Sequence, residues 1–314
     1  MYSAVSGLEA HQTMLDVTAN NLANVDTIGY KAERTTFDSE LAALINGGSA
    51  QTPNNGGTNP LQYGLGVQVG SIDNVMSAGS MQSTGNSLDV AIQGDGFLVV
   101  GSSNGGAPAQ PTLGTGSTYT QTVSSGSPAT AVGTTANFPT NYGYTRAGNL
   151  TTDSKGFLTT ANGQYVMGFT GPPSSTGAAP TPNTYIYIPP GSTNVSIGPS
   201  GEVTYTDNAV GDPNNGQTVT AGYLALSTFP NEAGLTRQAG SQWTTSPNSG
   251  PAQYGVANNG AFTNTQVISG ELEQSNVDMA TEFTNMIEAE RGYQANSSVI
   301  TTANNMMQTL IQMA

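Results

Sequence analysis

Few side chains in this sequence are of the types that carry out acid–base or nucleophilic chemistry. The chain contains a single histidine, His11, and no cysteine. A Ser-His-Asp triad would therefore depend on that one imidazole, and thiolate nucleophiles, thiolate metal sites and disulfides are excluded. Because His11 lies in a stretch with helical periodicity, we expect it to pack in a helix seam or on a helix surface. We predict no catalytic residue and no cofactor.

Two groups of carboxylates are candidates for catalysis or metal binding because of their spacing. Asp89 and Asp95 flank a predicted hairpin, as a carboxylate pair for glycoside hydrolysis would require. Asp beside Gly in such a position far more often fixes the turn itself. Asp207, Asp212 and Asn215 fit no calcium loop, because no Glu falls where the bidentate ligand is needed. We predict no metal site, and a secreted carbohydrate-active enzyme using Asp89 and Asp95 stays an alternative.

The composition indicates a protein with a polar but weakly charged surface. Of the 314 residues, 36% are hydrophobic and 8% are charged, compared with about 25% charged residues in ordinary soluble proteins. Such a surface lowers the electrostatic cost of packing many copies together. The formal net charge is −14, and the six cations are scattered apart from Lys31 and Arg34. Because nucleic acids bind clustered cations, we predict no nucleic-acid partner.

The end of the chain, residues 276–314, has the periodicity of a long amphipathic helix. Apolar side chains recur in alternating steps of three and four residues, at Met286, Ala289, Tyr293, Ile300, Ala303, Met307 and Leu310. Asn296 fills the remaining position. This spacing is typical of the seam of a coiled coil. Gly292 disfavours a helix interior, so its presence predicts close approach of another backbone.

The start of the chain, Ser3 to Asn24, also predicts a helix. Leucines recur every seven residues, with small apolar residues at the complementary position: Val5, Leu8, Leu15, Ala19 and Leu22. Asn20, Asn21 and Asn24 lie beside this stripe, where Asn side chains can fix the register between helices. We expect Asn296 to face this cluster. A short second helix is predicted next, because Phe37, Leu41, Leu44 and Ile45 share one helical face.

The middle of the chain has the two-residue alternation of β-strands. Strands are predicted at Val67–Val69, Leu88–Ile92, Phe97–Val100, Tyr142–Thr145, Leu150–Thr152, Phe157–Thr160, Tyr165–Phe169, Tyr185–Pro189, Val195–Ile197, Val203–Tyr205 and Tyr223–Phe229. Gly94-Asp95-Gly96 predicts a hairpin between the second and third of these, and Asn162-Gly163 predicts a tight turn. The stretches 46–60 and 230–264 are predicted to be rich in loops.

These patterns predict an α+β fold. A mainly-β centre of short antiparallel strands is bracketed by N- and C-terminal amphipathic helices, which pack together as a coiled-coil-like terminal domain. The predicted domains are residues 1–45, a β-rich region 46–270 with an insertion at 101–140, and residues 271–314. The N-terminus has no cationic and apolar signal sequence, so we expect no cleavable signal peptide. No segment has the about 20 apolar residues of a membrane span, so no membrane insertion is expected.

Four stretches of sequence carry a family resemblance. They are SGLEAHQTMLDVTANNLANVDTIGYKAERTTF, LDVAIQGDGFLVV, YTRAGNLTTDSKGFL and SNVDMATEFTNMIEAERGYQANSSVITTANNMMQTLI. Their ANNLAN core, the following Tyr30-Lys31 pair and the closing helix resemble the bacterial flagellar rod and hook proteins. Within that family, GGTNPLQYGLGVQVGSID, QSTGNSLDVAI and SNVD with ERGYQANS look most similar to hook proteins, and distal rod proteins are the alternative.

The resemblance implies a structural subunit and not an enzyme. It implies a flagellar hook subunit, exported through the flagellar type III apparatus without cleavage, that polymerises into a flexible tube transmitting torque from rod to filament. Implied partners are other copies of the chain and the rod, hook-cap and hook–filament junction proteins. The helices would form the inner tube, with the β domains outside. The assembly interface predicted from the helical stripes comprises Val5, Leu8, Leu15, Ala19, Asn20, Asn21, Leu22, Asn24, Met286, Tyr293, Asn296, Ile300, Met307 and Leu310.

Overall fold

The fold has a helix near each end of the chain and short antiparallel strands between them. The computed structural model describes residues 2–48, 50–51, 56–102, 142–171, 182, 184–208 and 216–313. This architecture confirms the predicted α+β class. By contacts between residues, the chain forms two compact units, which we call the helical unit (Met1–Val25, Lys31–Val75 and Val277–Ala314) and the sheet unit (Asp26–Tyr30 and Met76–Asn276). The domain boundaries expected after residues 45 and 270 stay a prediction.

The helical unit combines both long helices with two pairs of strands. Its elements are α1 (Tyr2–Ala23), β1 (Glu33–Ser39), β2 (Ala42–Asn46), β3 (Leu61–Gly64), β4 (Val67–Asn74) and α2 (Met279–Met313). β1 pairs with β4 and β2 pairs with β3, both antiparallel. Asp278 caps α2, because its Oδ1 accepts a hydrogen bond of 2.9 Å from the backbone N–H of Ala280. The two helices are those that the apolar periodicity predicted.

The short second helix predicted near residue 40 is wrong, because that segment forms β1 and β2. The apolar run was too short for its period to distinguish a helix from a strand. The β-branched Thr35 and Thr36 favour an extended chain. Thr36 also fixes the pairing with β4, because its Oγ1 lies 2.8 Å from Ser71 Oγ and accepts a hydrogen bond from the Ser71 backbone N–H.

The sheet unit consists of short strands, most of them joined in one antiparallel sheet. Its strands are β5 (Met81–Ser83), β6 (Val90–Gln93), β7 (Phe97–Gly101), β8 (Gly143–Thr145), β9 (Leu150–Thr152), β10 (Leu158–Thr160), β11 (Tyr165–Phe169), β12 (Thr184–Tyr185), β13 (Thr193–Ile197), β14 (Glu202–Thr206), β15 (Thr218–Leu224), β16 (Leu226–Thr228), β17 (Thr236–Gln238), β18 (Gln242–Thr244), β19 (Gln253–Gly255), β20 (Gln266–Ser269) and β21 (Glu271–Glu273). The main path of the 13-stranded sheet runs β13-β14-β15-β11-β7-β8-β18-β17.

The predicted hairpin between β6 and β7 is wrong. β6 pairs with β20, whereas β7 pairs with β8, β11 and β16. Gly94 and Gly96, which follow β6, have positive φ angles of 108° and 129°. Only glycine adopts such backbone angles readily. Thr265 Oγ1 donates a 2.9 Å hydrogen bond to the backbone oxygen of Asp95. A segment distant in sequence therefore competes successfully with the local pairing.

Most other predicted strands are confirmed, and the additional ones are short. The Asn162-Gly163 turn connects β10 with β11, and β13 pairs with β14 as expected. β17, β18 and β19 lie in the stretch predicted to be rich in loops. Each has three residues, too few for an alternating pattern to be visible in the sequence. The predicted insertion lies outside the described residues except for its first two positions.

A buried ion pair connects distant parts of the sheet unit. The Arg146 side chain is 2% exposed, and its Nη1 lies 3.5 Å from Glu273 Oε2. Arg146 Nη2 donates a 3.1 Å hydrogen bond to the backbone oxygen of Gly94, and the guanidinium lies over the Phe97 ring at 5.2 Å. Glu273 Oε1 accepts a hydrogen bond from the Gly79 N–H. The pair thus joins β21 to the segments that precede β5 and β7.

Glu273→Ala is expected to destabilise the protein by about 3–5 kcal/mol, because it leaves the Arg146 cation buried without its carboxylate. Urea unfolding followed by the fluorescence of the single tryptophan, Trp243, measures this. Glu271→Ala on the same strand is the matched control, because Glu271 is partly exposed. Equal loss of stability in the two variants would contradict a structural role for the ion pair.

Candidate assembly site on the terminal helices

The two terminal helices pack against each other, as predicted, and they run antiparallel. Gly7 lies against Asn296, His11 lies against Gly292, and Asn21 is hydrogen-bonded to Glu282. As the residue number rises along α1, it falls by the same step along α2. Three contacts over four turns of helix therefore share one register, as expected for a coiled-coil-like pair.

Two glycines allow the helices to approach closely. A Cβ atom at Gly292 would lie 2.5 Å from the His11 imidazole, and one at Gly7 would lie 2.5 Å from Asn296 Nδ2. Gly292 makes room for the His11 side chain, so the close approach at this glycine is that of a side chain and not of the predicted backbone. His11 packs in the seam, with its ring centroid 5.9 Å from that of Phe37. Its Nδ1 is buried and has no hydrogen-bond partner among the described residues.

Asn21 is the polar centre of the helical unit. It is fully buried, and its side chain bonds both backbone groups of Glu33: Nδ2 donates to the oxygen at 2.8 Å and Oδ1 accepts from the N–H at 2.9 Å. Nδ2 also donates to Glu282 Oε1 at 3.2 Å. One amide thus connects α1, the first residue of β1 and the first turn of α2. The periodicity predicted that Asn in this stripe fixes register, but not these partners.

Glu282 brings an ionisable group into the seam. Burial raises the pKa of its carboxyl group, hydrogen bonds from Asn21 and Asn285 oppose that shift, and the nearby charge of Asp278 adds to it. The Oε2 atom is buried and has no hydrogen-bond partner in the part of the chain that the structure describes. Among the described residues, only one of the two Glu282 carboxylate oxygens therefore has a hydrogen-bond partner. The protonation of this carboxyl group is expected to affect the packing of the two helices.

The leucines of the α1 stripe, Leu8, Leu15 and Leu22, are only partly buried within the subunit. The buried residues of α1 are instead mostly small: Ala4, Gly7, Ala10, Val17, Thr18 and Asn21. The His11 side chain packs among these small residues, against Gly292 of α2. We call the α1 stripe the leucine ridge, comprising Val5, Leu8, Leu15, Ala19 and Leu22. It is turned by roughly 100° from the seam, from 3.6 residues per turn, and the Val5 side chain is 43% exposed.

The other predicted interface residues fall into two groups. Met286, Asn296 and Ile300 are partly buried. Tyr293, Met307 and Leu310 are exposed, and so are Ala19 and Asn20. The expectation that Asn296 faces the cluster around Asn20 is wrong, because the antiparallel register places Asn296 beside Gly7. Asn24 is partly buried and donates a 3.1 Å hydrogen bond to Asn20 Oδ1 on its own helix.

The last three turns of α2 extend past the start of α1. Continued from the three observed contacts, the register places Tyr2, the first residue of α1, opposite Thr301. We call residues 302–313 the α2 overhang. It carries five exposed apolar side chains, Met306, Met307, Leu310, Ile311 and Met313. The residues of α1 that the structure describes, from Tyr2 onward, do not lie opposite the overhang.

A second exposed apolar surface was missed in the sequence. The β2–β3 pair carries five large exposed side chains, Leu41, Leu44, Ile45, Leu61 and Tyr63, counting the residue directly before β2. Apolar residues on both faces of an isolated strand pair are the signal that could have identified it. Interpreted as a helix, the same residues share one apolar face, so an exposed surface is not apparent from the sequence.

Among the carboxylates considered for chemistry, Asp89 has a structural role. Asp89 accepts hydrogen bonds from Thr84 Oγ1 at 2.6 Å and from Asn86 Nδ2 at 3.2 Å, so it holds the turn before β6. The Asp95 side chain is exposed. Asp212 and Asn215 lie outside the described residues. Over the described ranges, no three His, Asp or Glu side chains group as metal ligands would. No described helix is long and apolar enough to cross a membrane.

Asn21→Ala is expected to destabilise the helical unit by about 2–4 kcal/mol, because buried groups left unpaired cost about 1–3 kcal/mol each. The groups are the N–H and oxygen of Glu33 and the Glu282 carboxylate. Thermal unfolding followed by the helical circular dichroism signal measures the loss. The exposed neighbour, in Asn20→Ala, serves as the control. An effect no larger than that of the control would show that Asn21 does not hold the unit together.

Glu282→Gln is expected to flatten part of the pH dependence of stability. With a raised folded pKa, the folded state holds the Glu282 proton more tightly than the unfolded chain does. Its contribution is therefore complete below the ordinary value of 4.5 and is lost as the pH rises through the raised value. Relative to Glu282→Gln, the wild type should lose stability over that interval, as measured by urea midpoints at several pH values. Glu290→Gln, at an exposed site, should keep the wild-type profile. An identical profile in Glu282→Gln would contradict the buried carboxylate.

Three family models match this chain. They are described as the flagella basal body rod protein (residues 1–31), the flagellar hook protein FlgE/F/G D1 domain (residues 136–205) and the flagellar basal body rod FlgEFG protein C-terminal region (residues 268–313). The first and third cover the terminal helices, and the second covers the strands from β8 to β14. The matches therefore include both units of the fold.

The chain is similar to flagellar basal-body rod proteins and to flagellar hook proteins. The flagellar basal-body rod protein FlgG of Bacillus subtilis is 36% identical, over 100% of this chain and 98% of the relative. The protein of the same name from Caulobacter vibrioides is 30% identical, over 99% and 97%. The flagellar hook protein FlgE of Borreliella burgdorferi is 47% identical, but over 32% of this chain and 23% of the relative. The chain therefore belongs to the flagellar rod and hook family, whose members are structural proteins that polymerise in the flagellar axis and are not enzymes.

Proposed function

We propose that the chain is a subunit of the distal rod of the flagellar basal body. The observation that carries the proposal is the length of the similarity. Relatives named as rod proteins align with it from end to end, whereas the hook relative aligns over about a third of it. The aligned third is also less than a quarter of that hook protein, so the hook relative is a longer chain.

The hook assignment expected from the sequence motifs has weaker support than the rod assignment. The motifs that suggested a hook lie near the two ends of the chain and in the first strands, which rod and hook proteins share. Short runs of high identity therefore identify the family but do not separate its members. The full-length alignment also includes the sheet unit, in which the sequences of rod and hook proteins can differ. The carbohydrate-active alternative is wrong, because the family is structural.

The exposed apolar surfaces of the helical unit support self-assembly through that unit. Soluble monomers rarely expose apolar patches beyond a few hundred Å², yet the α2 overhang and the β2–β3 pair are both exposed. Burying one large apolar side chain contributes about 1.5–3 kcal/mol, so several together can offset the loss of freedom on association, about 4–15 kcal/mol. The residues of the leucine ridge and the exposed residues of α2 are proposed to contact neighbouring copies.

The proposed neighbours of the subunit follow from its proposed position in the flagellar axis. Other copies of the chain lie beside each subunit, with further rod proteins on the cell side and the hook on the outer side. The hook-cap and hook–filament junction proteins, implied by the hook assignment, are not neighbours of a distal rod. Export through the flagellar type III apparatus, which the family resemblance implies, is part of this proposal.

Loss of the chain is expected to remove both the distal rod and the hook that is built on it. Electron microscopy of basal bodies purified from the deletion strain of the encoding bacterium measures this, with a strain lacking its hook protein as the control. That control should retain complete rods. Gold-labelled antibody against the chain should mark the straight segment of wild-type hook–basal bodies. Label along the curved hook, or complete rods in the deletion strain, would contradict the rod assignment.

A further inference from the structure

We propose that the sheet unit binds a short neutral oligosaccharide in a polar cavity beside the start of β8. The cavity has a volume of about 780 Å³, within the range of about 300–1,000 Å³ that is typical of ligand sites. All the residues that line it belong to the sheet unit. The inference therefore does not depend on how the helical unit assembles, and it concerns a surface to which the proposed function gives no role.

The wall of the cavity combines tyrosine rings with amide and hydroxyl groups. Tyr142, Tyr144 and Tyr254 line it together with Gln164 and Gln242, and further threonine and serine side chains complete the wall. None of the described residues that line it is Asp, Glu, Lys, Arg or His. An ionic ligand would find no counter-charge there, and burying an unpaired charge is costly. The wall therefore favours a neutral ligand with many hydrogen-bonding groups.

Two amide groups converge over Gly143. A Cβ atom at that position would lie 3.3 Å from Gln242 Oε1 and 3.5 Å from Gln164 Oε1. Gln242 is 5% exposed, and Gln164 Oε1 is a buried acceptor with no hydrogen-bond partner among the described residues. Because an unpaired buried acceptor is unfavourable, a ligand hydroxyl group above Gly143 would be stabilised by donating to it. The absence of a side chain at Gly143 leaves room for that group.

The tyrosine hydroxyl groups supply a donor. Tyr144 Oη and Tyr254 Oη lie 2.8 Å apart, and either one can donate this hydrogen bond. Each hydroxyl group has one proton, so the pair retains a second proton that can be donated to a ligand. Burial, followed by the influence of Tyr254, raises the pKa of both Tyr142 and Tyr144. These hydroxyl groups therefore stay protonated and neutral at physiological pH.

The tyrosine rings give the cavity an apolar face as well. The rings of Tyr142 and Tyr254 meet edge to face with centroids 5.8 Å apart, and both side chains are partly exposed. Tyrosine combines an apolar ring with a polar tip. A sugar ring matches this combination, because its C–H face is apolar and its rim carries hydroxyl groups. A lipid chain would leave the amide and hydroxyl groups of the wall unpaired, whereas an oligosaccharide can pair with them.

Calorimetric titration of the full chain with two neutral trisaccharides, chitotriose and cellotriose, tests the proposal. At least one should bind at one site per chain, with a dissociation constant of about 1 mM or below. The glucosamine trimer has the ring framework of chitotriose but carries cationic amines in mildly acidic buffer. It should bind at least ~10-fold more weakly than chitotriose, because the wall offers no counter-charge. Tighter binding of the cationic trimer, or no binding of either neutral trisaccharide, would overturn the proposal.

A neutral capped peptide, acetyl-Gly-Ser-Gly-amide, represents the other class of uncharged polar ligand. It offers amide groups and one hydroxyl group but no sugar ring to pack on the tyrosines. We expect no measurable binding of this peptide at the concentrations at which the trisaccharide saturates the site. Equal affinity for the peptide would overturn the assignment of a saccharide.

Gly143→Ala should weaken trisaccharide binding at least ~10-fold, since a contact of 1.4 kcal/mol corresponds to tenfold. The new methyl group would occupy the space between the two amides. Gly143 is not among the glycines with positive φ, so alanine fits its backbone. The matched control is Gly171→Ala, at a glycine that also lacks a positive φ, whose Cβ would meet nothing within 4 Å and which does not line the cavity. Unchanged binding by Gly143→Ala would place the ligand elsewhere and overturn the site.

A second variant does not depend on how a methyl group is accommodated. Gln164→Ala removes the unpaired acceptor and adds no volume, and it should also weaken binding about 10-fold. Gln253→Ala is its control, because Gln253 is exposed and does not line the cavity. Urea midpoints of the two variants show whether each is folded. Equal affinity of Gln164→Ala and Gln253→Ala would contradict the role of the amide.

Residues 103–141 require a separate comparison. They lie outside the described residues and join Ser102 to Tyr142, both of which line the cavity. The full chain and a chain in which this segment is replaced by a short Gly-Ser linker should bind the trisaccharide with equal affinity. Binding that appears only in the shortened chain would overturn the proposal, because the cavity of the full protein would then not be open to a ligand. All of these measurements use the unassembled subunit, so their failure leaves the rod assignment intact.

Discussion

The arrangement of the helical unit depends on the seam between α1 and α2. Asn21 holds one end of it, by bonding Glu33 and Glu282 at once, and two glycines hold the other end by admitting close approach. A buried amide with three good hydrogen bonds permits few alternative registers, since any slip leaves polar groups unpaired. The contacts of Gly7 and His11 lie in the same register. The position of every other surface on the helices follows from it.

Several large apolar side chains of the helical unit are exposed or only partly buried. The leucines of the ridge are only partly buried, and the α2 overhang has five exposed apolar side chains. In a monomer these would be defects, since they lower solubility without adding stability. Because members of this family polymerise in the flagellar axis, we propose that neighbouring subunits cover these surfaces. The low content of charged residues, 8%, is consistent with dense packing of copies.

The sequence predicted both long helices and most strands, but not the partners of these elements. Heptad spacing located both helices, and alternation located most strands, because those signals are local. The periodicity predicts that the leucines of α1 face α2. It identifies an apolar stripe on a helix, but it does not identify the element that packs on that stripe. Small residues such as Gly7 and Ala10 form the buried face instead. The β6–β7 hairpin failed for a similar reason, because β20, more than 160 residues later, is the pairing partner of β6. The distinction between hook and rod likewise depends on the whole chain, since the terminal motifs are shared.

Amide hydrogen exchange, compared between the free subunit and the assembled polymer, tests the central claim most directly. That claim is that the seam exists in the subunit, whereas the overhang gains its partner on assembly. Amides of α2 from Met279 to Thr301 should be protected in both states. Amides of residues 302–313 should exchange rapidly in the free subunit and at least ~10-fold more slowly in the polymer, because exchange follows local opening. Equal protection of the overhang in the two states would contradict the account.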